Sequence, residues 1–256
     1  MTQLFDLSDR TLLITGASSG LGLQFARSAA AAGARLALAA RRTERLQALA
    51  EEINARGGKA MAIAMDVEDE VSVIAGFDAA QATLGPVDSV IANAGVGGEG
   101  AALDLTVADF DKTFAVNVRG TFLTAREAGR RMMDAFPRDE QRGRIVMIAS
   151  ILANKPASGL AAYCASKAAV TMMGRTLARE WINRGVNVNV VCPGYIETEI
   201  NADWFASEGG RKQVEGFPRR RLMTEQDLDP MTLYLVSSAS RTVTGSVFTL
   251  DDGQSL

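Results

Sequence analysis

The stretch TLLITGASSGLG, residues 11–22, decides the fold. Thr11–Thr15 carries no charge, is too short to be a helix of its own, and is rich in side chains that suit a buried strand. A glycine-rich turn follows at once, and Leu21 begins a helical pattern that runs to Ala32. Strand, glycine turn and helix in that order open a βαβ unit. The glycines let the backbone approach an anion closely, while the helix N terminus offers free N–H groups and the positive end of a dipole. A pyrophosphate suits this arrangement; a turn that serves only strand-to-helix packing is the competing reading. The spacing is G-x3-G-x-G, a variant of the G-x-G-x-x-G dinucleotide fingerprint, so the argument rests on the strand before it and the helix after it.

Outward from this unit the same rhythm repeats. Short apolar runs at Thr11–Thr15, Arg35–Ala40, Ala60–Met65, Val87–Ala92, Arg144–Ala149, Val186–Val191 and Val247–Leu250 read as strands. Helical patterns fill the gaps at Leu21–Ala32, Thr43–Arg56, Val71–Leu84, Val107–Asp134, Ala162–Asn183 and Glu225–Ser237. Strands alternating with helices predict an α/β protein: a three-layer Rossmann fold with a seven-stranded parallel sheet flanked by helices, formed by residues 1–256 as one domain. Two segments break the rhythm. Phe136–Gly143 is polar and reads as an exposed loop without catalytic interest. The segment 195–221 follows the Pro193-Gly194 turn and carries Trp204, Phe205 and Phe217 among polar residues, which suits a lid over a site; an ordinary surface excursion is the alternative.

Composition narrows the function classes. The chain has 256 residues, 47% of them hydrophobic, and a formal net charge of −3. No global basic field exists to hold nucleic acid or an anionic membrane, so a small-molecule partner is expected. With no histidine and only Cys164 and Cys192, the usual zinc sites cannot be completed, and a metal-free protein of a reducing compartment is expected. The N-terminal MTQLFDLSDR lacks a basic region followed by an apolar stretch, and no apolar run reaches about 18 residues, so a cytoplasmic location is expected.

Proton chemistry without histidine points to Ser150, Tyr163 and Lys167. Tyr163 and Lys167 are four apart and project from one helix face. A nearby ammonium favours the phenolate, which would bring a phenol with an ordinary pKa of about 10 towards working pH. At the end of the second strand, where a carboxylate would bind the ribose diol of NAD, the chain has Ala39-Ala40-Arg41-Arg42. Two guanidiniums suit the extra phosphate of NADP(H), although they could also begin a solvated helix with Glu44 and Glu51 as partners.

The chain resembles the short-chain dehydrogenase/reductase family over essentially its whole length. The resemblance is carried by TGASSGLG at 15–22, Asp66-Val67, NAG at 93–95, Asn117 in NVRG, Ser150, YCASK at 163–167 and PGYIET at 193–198. It implies that Tyr163 is the general acid and base, that Lys167 lowers the phenol pKa and binds the nicotinamide ribose, and that Ser150 stabilises the carbonyl oxygen. Asn117 would fix a water that relays protons to Lys167. The cofactor contacts implied are Gly16, Ser18, Ser19, Gly20 and Leu21 at the phosphates, Arg41 and Arg42 at the 2′-phosphate, and Asp66 and Val67 at the adenine. Asn93, Ala94 and Gly95 would stand behind the adenosine ribose, and Pro193, Gly194, Ile196 and Thr198 at the nicotinamide end; Asn93 could equally satisfy strand ends, and Thr198 cap a helix. Cys164 is assigned no chemistry. The resemblance also implies a homotetramer built on the helices at 107–134 and 162–183.

Three functional readings stay open. One is an NADPH-dependent reductase of small apolar ketones, motivated by the Ala- and Leu-rich 151–162 stretch. Another is a 3-oxoacyl thioester reductase, with Arg130 and Arg179 meeting an acidic carrier protein. The third, a nucleotide-binding regulator without catalysis, is opposed by the intact Asn117, Ser150, Tyr163 and Lys167 set. The arginines at 219–221 read as a solvated cluster rather than a phosphate grip.

Overall fold

The computed structural model describes residues 5–98, 100–199 and 201–256, so residues 1–4 of the N-terminal segment and Ile200 of the 195–221 segment lie outside the described residues. Strands β1 (Thr11–Thr15), β2 (Arg35–Ala40), β3 (Lys59–Ala64), β4 (Ser89–Ala92), β5 (Gly143–Ile148), β6 (Val186–Pro193) and β7 (Val247–Leu250) form one sheet in the order β3-β2-β1-β4-β5-β6-β7. Every pairing is parallel.

The parallel sheet requires crossover helices, and these are α1 (Gly20–Ala31), α2 (Thr43–Ala55), α3 (Glu70–Leu84), α4 (Val107–Phe114), α5 (Thr121–Ala135) and α6 (Ala161–Trp181). Beyond β6 come the short α7 (Ala202–Ala206) and α8 (Glu208–Glu215), then α9 (Asp229–Val236). Alternate strand residues feed two cores. Leu13, Val90 and Val188 meet Phe77 of α3, Met132 of α5 and Leu177 of α6 on one face. Leu12, Ile14 and Val191 meet Phe25 of α1, Leu46 of α2 and Leu235 of α9 on the other. These are the three predicted layers, and burying each such large apolar side chain contributes about 1.5–3 kcal/mol.

One expectation changes. The long helix at 107–134 is interrupted by a π-helical segment, Ala115–Gly120. At the end of the widened turn Gly120 packs against the loop after β3: a Cβ there would lie 2.7 Å from Val67 Cγ2. Such irregular turns often accompany functional sites, and this one contains Asn117. Residues 137–141 of the 136–143 loop are exposed. The loop holds a 3-10 turn, Arg138–Glu140, and Arg142 pairs through Nη2 with Asp88 Oδ2 at 2.9 Å. Asp88 is 1% exposed, and a carboxylate at that depth needs a cationic partner. No helix among the described residues is long and apolar enough to cross a membrane.

Candidate active site

The strand order reverses between β1 and β4, so the crossovers leave in opposite directions and open a crevice beyond the C-terminal strand ends. Thr15, 1% exposed at the end of β1, stitches that crevice together: its Oγ1 accepts from the N–H groups of Asn93 and Ala94 at 3.1 Å each. Asn93 Nδ2 donates back to Thr15 O at 3.0 Å. Asn93 thus does satisfy strand ends, and by doing so it fixes the NAG turn behind the glycine-rich turn.

That turn has the conformation glycine permits, with φ of 69° at Gly16 and 51° at Gly20. The third glycine answers a packing need. A Cβ at Gly22 would lie 2.3 Å from Gly16 O and 2.7 Å from Asn93 Nδ2. Gly22→Ala is therefore expected to destabilise the protein by about 3 kcal/mol, because the overlap is with backbone that cannot yield. An unchanged urea midpoint would refute this.

The crevice fits a dinucleotide. Ser19 at the N-cap of α1 makes no side-chain capping bond, so the first-turn N–H groups keep no side-chain acceptor. Its hydroxyl instead accepts from Arg42 Nη2 at 2.6 Å, and Ser18 Oγ accepts from Arg42 Nε at 3.2 Å. Arg42 is thereby held over the turn, while Arg41 pairs with Glu68 at 3.6 Å in the loop after β3. Neither arginine takes Glu44 or Glu51 as its partner. Asp66 Oδ1 accepts from Glu68 N at 3.0 Å, which shapes that loop.

At the opposite end the structure brings Ser150, Tyr163, Lys167 and Asn117 together. Ser150 follows β5 in extended backbone and is 8% exposed; its Oγ accepts from Leu152 N at 3.1 Å. The hydroxyl proton remains to be donated. Lys167 Nζ, on a side chain that α6 buries, donates to Ile148 O at 3.0 Å and lies 5.6 Å from the Tyr163 ring centroid. Asn117 accepts from Val96 N at 2.8 Å and donates to Val96 O and Ser166 Oγ at 3.0 Å each. It approaches Lys167 only across Gly95, where a Cβ would sit 3.4 Å from both Asn117 Oδ1 and Lys167 Nζ.

The electrostatics depart from the simple expectation of a lowered phenol. Tyr163 is half-buried as a residue, its phenol is enclosed, and burial pushes its pKa up to about 12 against the opposing pull of Ser150. Burial likewise pushes Lys167 down to about 8. In both groups desolvation is the leading cause, disfavouring the charged form of each.

The residues expected at the nicotinamide end divide. Ile196 is 4% exposed and its side chain belongs to the core, so any contact from it is made by backbone. Thr198 leans towards Gly20, with its Cβ 3.8 Å from where a Cβ there would be, and the N-cap position of α7 is held by Asn201, which makes no side-chain capping bond. A Cβ at Gly194 would meet Gln254 Oε1 at 2.4 Å, so the Pro193-Gly194 turn packs directly against the C-terminal tail. Gln254 Oε1 accepts from Tyr195 N at 2.6 Å, and its Nε2 donates to Tyr195 O and Arg221 O at 3.2 and 3.3 Å, joining the two ends of the 195–221 segment. Nothing in the residue pattern marks Gln254 for this role; only the fold brings it there. Arg219 and Arg221 are engaged by Asp252, which accounts for two of the three clustered arginines.

Residues 10–209 match the profile of the short chain dehydrogenase family. The chain belongs to that family. The D-threitol dehydrogenase of Mycolicibacterium smegmatis is 33% identical over 98% of this chain and 95% of its own length. The gluconate 5-dehydrogenase of Gluconobacter oxydans is also 33% identical, over 98% of this chain and 96% of its own. Among solved structures, a gluconate 5-dehydrogenase from Burkholderia cenocepacia in complex with NADP and tartrate superposes with a TM-score of 0.92 at 29% identity, covering 98% of this chain and 97% of that one. Family membership makes this short-chain dehydrogenase/reductase an oxidoreductase of CH–OH groups.

Proposed function

We propose that the protein is an NADP(H)-dependent oxidoreductase that interconverts a ketone and a secondary alcohol, with Tyr163 as general acid and base. One observation carries the cofactor choice: β2 ends without a carboxylate, and Arg42 is held over the glycine-rich turn by Ser18 and Ser19. NADP in the gluconate 5-dehydrogenase structure supports it. When bound, the nicotinamide supplies or takes up the hydride. Gly16, Ser18, Ser19, Gly20 and Leu21 hold the phosphates, Arg41 and Arg42 the 2′-phosphate, and Asp66, Val67, Asn93, Ala94 and Gly95 the adenosine. Pro193, Gly194, Ile196 and Thr198 border the nicotinamide.

In reduction, Tyr163 gives its phenolic proton to the carbonyl oxygen while the Ser150 hydroxyl donates to that same oxygen. Lys167 binds the ribose hydroxyls with its remaining N–H donors and, as an ammonium, steadies the phenolate left behind. Asn117 holds the Val96 turn against α6 and positions the water that returns a proton to Lys167. Tyr195, stacked on Phe217 with centroids 5.4 Å apart and meeting Phe205 edge-on at 6.0 Å, gives the 195–221 lid an aromatic inner wall.

The burial of Ile151 and Leu152 in packing, with Asn154 and Lys155 following them, tempers the apolar-ketone reading. The polyol and sugar-acid relatives add hydroxylated substrates to the set. The thioester alternative is weakened, since Arg130 is held by Glu127, with its Nε at 3.0 Å from Oε2. Exposed Val107, Phe110, Phe122 and Met172 on α4, α5 and α6 support the homotetramer.

Parallel initial rates with NADPH or NADH against an apolar ketone, a polyol, a sugar acid and a 3-oxoacyl thioester test the assignment. Turnover of the thioester alone would overturn it. A phenol held near 12 is protonated at neutral pH, so reduction is expected to stay flat there. Oxidation needs the phenolate, whose fraction grows about tenfold per pH unit, and its rate should climb until Lys167 loses its charge near pH 8. An oxidation rate independent of pH would remove Tyr163 as the base.

A further inference from the structure

Arg42 is the N-cap residue of α2 and Arg45 lies in its first turn. Both converge on one carboxylate that arrives from the base of the 195–221 segment. Arg45 Nη1 donates to Glu199 Oε1 and Oε2 at 3.0 and 2.8 Å, and Arg42 Nη1 is 3.9 Å from Glu199 Oε2. Hydrogen bonding from Arg45, with the charges of both arginines, holds the Glu199 carboxyl below its ordinary range. Several other arginines pair elsewhere: Arg219 and Arg221 with Asp252, Arg131 with Glu127 and Asp78, Arg142 with Asp88. The Arg42–Arg45 pair differs because its anion comes from the segment that carries Thr198 and Tyr195, beside the crevice.

We propose that Glu199 is a built-in competitor for the cofactor's 2′-phosphate: its carboxylate occupies the Arg42–Arg45 pair, and a 2′-phosphate displaces it and releases the base of the segment from α2. This rests on the reading that Arg42 grips that phosphate, and it adds Arg45 to the grip. A phosphate offers three oxygens and close to two negative charges to the paired guanidiniums, whereas Glu199 offers one charge. The two anions repel at one site. All three side chains are about half exposed or more, so the native pair is weak and yields, at a cost that lowers affinity for the phosphate. A dinucleotide without the 2′-phosphate leaves the contact intact. Glu199 therefore narrows the preference for NADPH over NADH and couples the identity of the cofactor to the lid.

Calorimetric titration of the full chain with 2′,5′-ADP and with 5′-AMP, at low ionic strength, tests this without turnover. Glu199→Gln is expected to tighten 2′,5′-ADP about fivefold while leaving 5′-AMP unchanged. Arg45→Ala should weaken 2′,5′-ADP about tenfold, and adding Glu199→Gln to it should recover little. If Glu199→Gln leaves 2′,5′-ADP unchanged while Arg42→Ala weakens it, the competitor role is overturned and the phosphate grip stands. If Arg42→Ala and Arg45→Ala both leave 2′,5′-ADP unchanged, the grip and the competitor fall together.

Discussion

Tyr163→Phe is expected to lower kcat about 10³-fold, with the Kd for NADPH and the melting temperature little changed. The ring that meets Lys167 at 5.6 Å survives, and only the phenolic oxygen and its proton go. No histidine exists in the chain to take over. Lys167 cannot replace the phenol either, because its Nζ is turned onto Ile148 O at 3.0 Å. Steady-state rates with stopped-flow measurement of the chemical step decide the matter; undiminished turnover would end the tyrosine mechanism. A fall in NADPH affinity as large as the fall in kcat would recast Tyr163 as a binding residue.

The joint replacement Arg41→Ala and Arg42→Ala should weaken NADPH about 100-fold and NADH only slightly. Each charge-assisted hydrogen bond to a phosphate contributes about 1.5–3 kcal/mol, and NADH has no phosphate at that position. A small loss for NADH is expected all the same, since Arg42 also holds the Ser18 and Ser19 hydroxyls. Fluorescence titration with both dinucleotides separates the outcomes. Equal losses would show that the arginines shape the turn and do not read the cofactor.

The sheet was legible because its signals are local. Every strand is an apolar run bounded by a turn, and parallel pairing buries both faces, so the runs need no partner to be recognised. The boundaries differ by a residue or two, as at β3 and β5, where hydrogen bonding rather than side-chain pattern sets the ends. The π-helical turn at Asn117 was not legible. It ends at Gly120, which packs against Val67 some fifty residues away in sequence, a contact no local pattern records.

The candidate site divides along the same line. Residue type and spacing marked Ser150, Tyr163 and Lys167, because the chemistry demands a hydroxyl, a phenol and an amine, and one helix turn joins two of them. Charge type at the end of β2 marked Arg41 and Arg42. Sequence alone thus determined the fold class and the chemical vocabulary of the crevice, since both are written in short-range patterns. Tertiary structure decided the protonation landscape, as enclosure lifts Tyr163 to about 12 and depresses Lys167 to about 8. It also decided the long-range partners: Gln254 at the neck of the 195–221 segment and Glu199 on Arg42 and Arg45. Desolvation and pairing between distant segments depend on what the folded chain places nearby, which no local pattern records.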